Sequence, residues 1–157
     1  MFAIGDNVSY PLHGTGVIEK IEQKQVLGET RSYYIIRITK GNMQVMVPVE
    51  GSENVGLRPI VSPDVFDSVY STLSAESTPM DENWNRRNRD NMEKLRTGDL
   101  TLVAAVIRNL VRIDRSKKLS TGEKKLLSDA KYILASEMKA VLGLSEEEAL
   151  EKIENLI

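Results

Sequence analysis

The chain has 157 residues, of which 41% are hydrophobic and 28% charged, an ordinary composition for a globular protein of one domain or two small ones. No apolar run approaches the roughly 20 residues of a membrane span, and the first residues lack the basic start and apolar core of an export signal, so we expect a cytoplasmic protein without a membrane partner. The absence of Cys excludes disulfides, a thiol nucleophile and zinc–thiolate sites.

The net charge of −2 conceals an uneven distribution along the chain. Residues 1–83 have a net charge of −5, residues 84–131 of +7 and residues 132–157 of −4. The basic central block suits a polyanionic partner, whereas the overall charge disfavours strong nonspecific nucleic-acid binding by the whole chain. A solvated helix face is the alternative explanation of the same block.

Four segments near the N-terminus are rich in Val, Ile, Tyr and Thr, as β-strands are: NVSY, TGVIEKIEQKQ, TRSYYIIRITK and NMQVMVPV. Turns are predicted at Gly28-Glu29 and Gly41-Asn42, and Gly14 and Gly16 indicate a tight bend or bulge. Short strands in such close succession indicate a small barrel, since isolated hairpins are marginally stable.

Beyond Val61 the pattern becomes helical. Ser62 is the expected N-cap of a first helix, with Pro63 at its first position. After a polar loop, SAESTPMDEN, a second helix is expected from about Trp84 to Arg96, ending at Gly98.

Three further helices follow. Asp99 is expected to cap LTLVAAVIRNLVRIDR, whose apolar residues recur at helical spacing, namely Leu102, Val103, Val106, Ile107, Leu110 and Val111. STGE (Ser120 to Glu123) and SEEE (Ser145 to Glu148) are predicted capping boxes that open the last two helices. The sequence therefore predicts an α+β protein, with a small Tudor/SH3-like β-barrel over residues 1–61 and a compact domain of about five helices over residues 62–157.

The start of the second helix, NWNRRNRDN, is the most unusual segment. Its Trp84 is the only Trp, and helical spacing places this ring on the same face as Asn88, Asn91 and Leu95. Leu95 suggests a core face and the two amides argue against it, so burial of Trp84 and exposure to a partner both remain open. Positive charge in the first turns opposes the helix dipole, which favours a functional reason for the nearby arginines.

Polar and basic residues at two helix starts are candidate contacts for nucleic acid. Guanidinium groups of Arg86, Arg87 and Arg89 can bind phosphate without reading sequence. Asn83 either caps the helix, which we favour, or reaches a minor-groove acceptor. Lys124 and Lys125, just inside the fourth helix, either meet phosphate or face solvent; these two residues complete the candidate set.

The strand MQVMVP is a candidate protein interface, because an edge strand can pair with a partner strand. Met43 and Met46 would then supply adaptable apolar surface. The alternative is an ordinary barrel strand whose alternate residues face inward.

No enzyme is indicated. His13 is the sole histidine, no metal ligands are patterned around it, and its expected role is structural, in the Pro11–Gly16 bend. Common nucleophile–base pairs are absent, and no Gly-Lys-Ser/Thr follows Gly14 and Gly16, so neither a cofactor nor a phosphate loop is expected.

Several motifs together resemble the CarD/CdnL family of bacterial transcription regulators. They are GDNVSYPLHGTGVI, MQVMVPV, ENVGLRPI, NWNRRNRDNMEKLRTGD and LSTGEKKLL, in that order. The N-terminal module is also similar to the RNA-polymerase-interacting domain of transcription-repair coupling factor. The resemblance covers essentially the whole chain, except for about the last 15 residues.

The resemblance implies a promoter-bound regulator that is monomeric on polymerase. In the family the barrel docks on the β subunit of RNA polymerase, and the helical domain contacts promoter DNA at the upstream edge of the bubble. There the Trp, here Trp84, wedges into the minor groove and helps to hold the open complex, which activates initiation. Among the two lysines, the family favours Lys124 as a contact.

The expected polymerase-facing residues lie on the strand that matches the family motif, namely Gln44, Val45, Met46, Val47 and Pro48, and Lys24 is a further candidate for a charged contact. Some family members have a basic residue where this chain has Met46, so backbone pairing and apolar packing would have to contribute more here.

Two other functions remain as alternatives. A protein–protein adapter would grip protein partners with both modules and keep Trp84 buried. An RNA-binding barrel is less favoured, because the barrel half is acidic and lacks an evident stacking platform.

Overall fold

The computed structural model describes residues 1–157, beginning with five antiparallel strands. These are β1 (Asn7–Tyr10), β2 (Gly14–Val26), β3 (Glu29–Ile38), β4 (Gln44–Pro48) and β5 (Arg58–Pro59). Their order in the sheet is β4-β3-β2-β1-β5, an open, barrel-like arrangement in which β4 and β5 are the edges. The expected small barrel at the N-terminus is confirmed in this open form.

Alternating residues of the strands build a small core. Inward-facing apolar side chains are fully or almost fully buried, namely Val8, Ile18, Tyr34, Ile36, Ile38, Val47 and Leu57. Their spacing follows the period of two expected of strands with one face covered. Strand β4 shows the alternation most simply, since Val47 is buried between exposed Met46 and Pro48.

Three details of this region differ from the prediction. The β2–β3 turn lies at Leu27-Gly28, one residue earlier than expected, and both residues have positive φ. The bend expected near Gly14 is present as a turn at residues 11–13, whereas the bulge lies between Ile18 and Lys20. Strand β5 was not predicted, because two residues are too few to show a periodic pattern.

Five helices follow. They are α1 (Val65–Ser74), α2 (Trp84–Arg96), α3 (Leu100–Ser116), α4 (Thr121–Leu142) and α5 (Glu146–Leu156). A core of 21 buried residues, contributed mainly by α3 and α4, holds them together. The predicted apolar face of α3 is buried except at Leu102, which is half-buried. None of these helices combines the length and apolar character that crossing a membrane requires.

Local caps explain where the helices begin. Asn83, Asp99, Ser120 and Ser145 each accept backbone N–H bonds at the start of α2, α3, α4 and α5. The prediction for α1 was wrong: this helix begins at Val65, and Ser62 hydrogen-bonds the Asp64 carboxylate instead of capping it.

The two capping boxes differ. Ser145 and Glu148 form a complete box, since each side chain bonds the other's backbone N–H, at 3.0 Å in both directions. Ser120 accepts from the N–H of Glu123, but the Glu123 carboxylate accepts from Arg87 and from the Ser120 hydroxyl, and no complete box forms. The box predicted at Ser120 to Glu123 is therefore only half present.

The strand region packs on α4 through backbone. Gly14 has φ +85°, and a Cβ there would lie 2.9 Å from both Ser136 Oγ and Tyr132 Cε1. The glycine predicted as a bend thus permits close approach of β2 to α4. Lys40 adds a cation–π contact with its Nζ 4.4 Å from the centre of the Tyr132 ring.

Candidate nucleic-acid interface

Trp84 lies at the N-terminal end of α2, on the same helix face as buried Leu95 but outside the core of the helical domain. Along this face, exposure rises from 1% at Leu95 and 2% at Asn91 to half-buried Asn88 and 55% at Trp84. The spacing that placed Trp84 with Leu95 was therefore right, but the ring lies beyond the core. It is an exposed aromatic side chain at the first residue of the helix.

Asn83 has the capping role that the sequence favoured. Its Oδ1 accepts from the N–H of Asn85 at 3.1 Å and of Arg86 at 3.2 Å. The cap fixes the first turn of α2 and with it the direction in which Trp84 leaves the backbone.

Arg87 is not available to a phosphate, contrary to the prediction. Its Nε and Nη2 donate to the two carboxylate oxygens of Glu123, at 2.7 and 2.8 Å, and the two side chains are only 13% and 3% exposed. The bidentate hydrogen bond raises the pKa of Arg87 and lowers the pKa of Glu123. The pair ties the first turn of α2 to the first turn of α4.

This pair shapes the surface around Trp84. Because Glu123 is neutralised by Arg87, it does not repel an anion at the start of α4. Two helix N-termini, each with a partial positive charge, are held side by side. Lys124 directly follows Glu123 in the first turn of α4.

The remaining candidate cations fall into two groups. Arg86, Arg89 and Lys124 are exposed and form no ion pair or side-chain hydrogen bond. Lys125 is also exposed, but its Nζ lies 2.9 Å from the carboxylate of Asp129 one turn along α4. The first three are the freer phosphate ligands.

Much of the positive charge of residues 84–131 is structural. Arg108 is buried and donates to Thr72, Thr78 and Asn109, and burial lowers its pKa. Arg112 donates to the Ala75 carbonyl. These arginines anchor the loop between α1 and α2, so the net charge of the segment overstates its attraction for a polyanion.

Two candidate cations were missed from the sequence. Lys117 and Lys118 are exposed, without ion pairs, in the turn that leads into α4. Their place directly before the Ser120 cap is the signal that could have identified them.

The second candidate interface is the free edge of the sheet. Strand β4 pairs only with β3, through Tyr33↔Pro48 to Arg37↔Gln44, so its other edge is open. Met43 and Met46 are 45% and 46% exposed beside it. Gln44 and Pro48 are also exposed, whereas Val45 is half-buried and Val47 belongs to the core.

Lys24 is exposed but does not lie on this edge. It is in β2 opposite Arg31, nearer the hairpin tip than the part of β3 that pairs with β4. A partner would have to cover the β2–β3 hairpin as well as β4 to reach it.

His13 stacks on Tyr10, with ring centres 4.9 Å apart, in the turn after β1. No group of three or more His, Asp or Glu residues converges in a way that could hold a metal ion.

The adapter alternative depended on a buried Trp84, but Trp84 is exposed in the structure.

Comparison with known proteins gives matches to both regions. Residues 2–61 match the family model described as "CarD-like/TRCF RID domain", and residues 68–154 match "CarD, C-terminal domain". The chain is 35% identical over 148 residues to "Putative transcription factor YdeB" of Bacillus subtilis (strain 168), covering 94% of this chain and 97% of that protein. The solved structure "CdnLNt from Myxoccoccus xanthus" is 39% identical, with 40% of this chain and 87% of that chain covered and a TM-score of 0.34.

Proposed function

This chain belongs to the CarD/CdnL family of transcription regulators that interact with RNA polymerase, and from that premise we propose that it binds the β subunit and stabilises the promoter open complex. The proposed polymerase module is residues 1–61, and the proposed DNA module is residues 62–157. DNA is contacted at the upstream edge of the bubble, in the minor groove.

The observation that best supports the DNA role is that Trp84 is exposed while the helix turn that carries it is fixed by other contacts. The Asn83 cap and the Arg87–Glu123 pair hold its turn, and unpaired Arg86 and Lys124 lie at the same two helix starts. An apolar ring inserted at a base step must compensate the lost stacking of that step. At a bubble edge the step is already unstacked, so the wedge gains most there.

The cations supply affinity without sequence preference. Arg86, Arg89 and Lys124 are proposed to contact phosphates, with Lys125, Lys117 and Lys118 at the periphery. Arg87 is left out of the contact set and acts by holding α2 on α4. Asn83 acts through its cap rather than through a base.

Polymerase is proposed to pair with the open edge of β4. A strand of the β subunit would bond to the backbone of Gln44–Pro48, while Met46 packs against it and Lys24 contacts a more distant part. Val47 supports this strand from the core. Such tethering raises the local concentration of the helical domain at DNA, so its own DNA affinity can be weak.

The test compares Trp84→Ala with Trp84→Phe in open-complex lifetime measurements. If the indole contributes about 1–3 kcal/mol, as base–aromatic stacking does, the Ala variant shortens the lifetime roughly fivefold to more than a hundredfold. The Phe variant should recover part of it. Binding to the isolated β subunit should not change. Equal lifetimes for the parent and a well-folded Ala variant would refute the wedge.

A further inference from the structure

The two regions of the chain share no hydrophobic core. The strand cluster comprises seven buried residues that all precede Arg58, and the 21-residue cluster lies entirely in residues 66–153. Apolar packing is not directional, so these two cores do not by themselves set the angle between the regions.

One buried polar junction joins them instead. Arg58, in edge strand β5, donates from Nη1 and Nη2 to the two carboxylate oxygens of Glu137 on α4, at 2.8 and 2.9 Å. Glu137 is 1% exposed and also accepts from the N–H of Val61 at 2.9 Å. Arg58 donates further from Nε and Nη2 to the carbonyl of Gly98, at 3.0 and 2.7 Å.

These bonds reach both helices that carry the candidate DNA surface. Gly98 lies just beyond the end of α2, whose first residue is Trp84, and Glu137 is on α4, whose first turns carry Lys124. The same two helices are joined at their starts by the Arg87–Glu123 pair. They are therefore fixed to each other at the DNA end and to the sheet at the other end.

We propose that Arg58 and Glu137 are positioning residues that set the orientation of the helical domain, and so of Trp84, relative to the polymerase-binding edge β4. This inference rests on the proposed function. Helix α2 spans about 20 Å, so a tilt of about 10° at Gly98 would move Trp84 by about 3.5 Å. Such a displacement is the size of a base-pair step, so the angle decides whether the ring meets the bubble edge.

The pair suits this role better than a purely stabilising one. Burying an ion pair costs desolvation that its attraction only partly offsets, whereas its bidentate geometry fixes direction. The other contacts across the junction are less directional: Gly14 approaches Tyr132 and Ser136 without a hydrogen bond, and Lys40 contacts the Tyr132 ring from a flexible, exposed side chain.

The first measurement is the distribution of distances between the two regions. Because the chain has no Cys, spin labels on Gln23→Cys and Glu151→Cys, two exposed sites in β2 and α5, report it specifically by double electron–electron resonance in the full chain. Glu137→Gln keeps the side-chain shape but removes the charge, so we expect a broader distribution than in the parent. Glu29→Gln, which removes a carboxylate from the exposed Arg31–Glu29 pair, is the matched control and should leave the distribution unchanged.

The second measurement is the concentration of the full chain that gives half-maximal open-complex stabilisation. If the competent orientation falls to about one tenth of the population, this concentration rises about tenfold, while affinity for the isolated β subunit is unchanged. A general loss of folding would reduce both. If Glu137→Gln does not fold by circular dichroism, Arg58→Lys decides alone, since it keeps the charge beside Glu137 but loses the bidentate bonds.

The outcomes separate the two proposals. Unchanged distance distributions in the folded variants overturn the inference. If Trp84→Ala shortens the open-complex lifetime, a broadened distribution with unchanged open-complex stabilisation overturns it as well. If Trp84→Ala has no effect, the proposed function fails, and the distance measurement alone then judges whether the pair sets the orientation.

Discussion

Two adjacent arginines should give opposite results when replaced by Gln. Arg87→Gln leaves Glu123, 3% exposed, without its bidentate partner, whereas Arg86→Gln removes a side chain that bonds nothing within the chain. Breaking a buried pair costs about 3–5 kcal/mol, and a change on an open surface costs less than about 0.5 kcal/mol. For a chain of this size, the Arg87 variant should melt roughly 10 °C lower.

For direct DNA contact the two variants should exchange roles, since only Arg86→Gln removes a phosphate contact. Arg86→Gln removes one phosphate contact, so the slope of log K against log salt should flatten by about 0.9 while the melting temperature stays constant. Arg87→Gln should weaken open-complex stabilisation by loosening α2, in proportion to its loss of stability. Urea unfolding followed by circular dichroism at 222 nm, together with salt titrations on a polymerase–promoter complex, measures both quantities.

Acid provides the check on the cause. The pKa of Glu123 is lowered by Arg87, so its contribution to stability is present above the unfolded value of about 4.3 and is lost as pH falls through the lower folded pKa. The difference in unfolding free energy between the parent and Arg87→Gln should therefore narrow as the pH falls from 7 to below about 4.3. A stability gap that is constant over this range, or an Arg87→Gln protein as stable as the parent, would refute the assignment of this pair.

Three further predictions follow from the same contacts. Lys124→Gln should flatten the salt dependence more than Lys125→Gln, because Asp129 already occupies the second lysine; equal effects in salt titrations would contradict this. Gly14→Ala should lower the melting temperature more than Gly28→Ala, since both have positive φ but only the first Cβ meets neighbours within 4 Å, so equal melting would place the strand–helix contact elsewhere. Met46→Asp should weaken β-subunit binding by about 1 kcal/mol or more in a pull-down titration, with Lys124→Gln as the control that leaves it unchanged, and full binding by the Asp variant would remove β4 from the interface.

Local signals predicted the helices well because each signal depends only on residues within the same helical turn. The bounds of α2 and α3 follow from the Asn83 and Asp99 caps and the positive φ at Gly98, all of which act within one turn. The errors occurred where tertiary contacts compete with a local signal. The Glu123 carboxylate accepts two hydrogen bonds from Arg87, a partner that the capping-box pattern did not predict, and the box at Ser120 is incomplete.

The candidate interfaces were predicted unevenly for a similar reason. The sequence identified Trp84 and Arg86, which the structure leaves exposed, and the β4 strand, whose outer edge is open. It placed Arg87 in the same group, because helical spacing distinguishes faces of one helix but not what packs against each face. It also gave no indication that Arg58 would join the two regions.

By itself the sequence determined the order of the first four strands and the five helices, most helix ends, the basic central block and the family. Only the tertiary structure decided which cations are free. The carboxylates that pair with the other cations are distant in sequence: Glu123 is 36 residues from Arg87, and Glu137 is 79 residues from Arg58. Such pairs form because the packing of separate helices and strands brings charges together in a place from which water is excluded, where an unpaired charge would be strongly unfavourable.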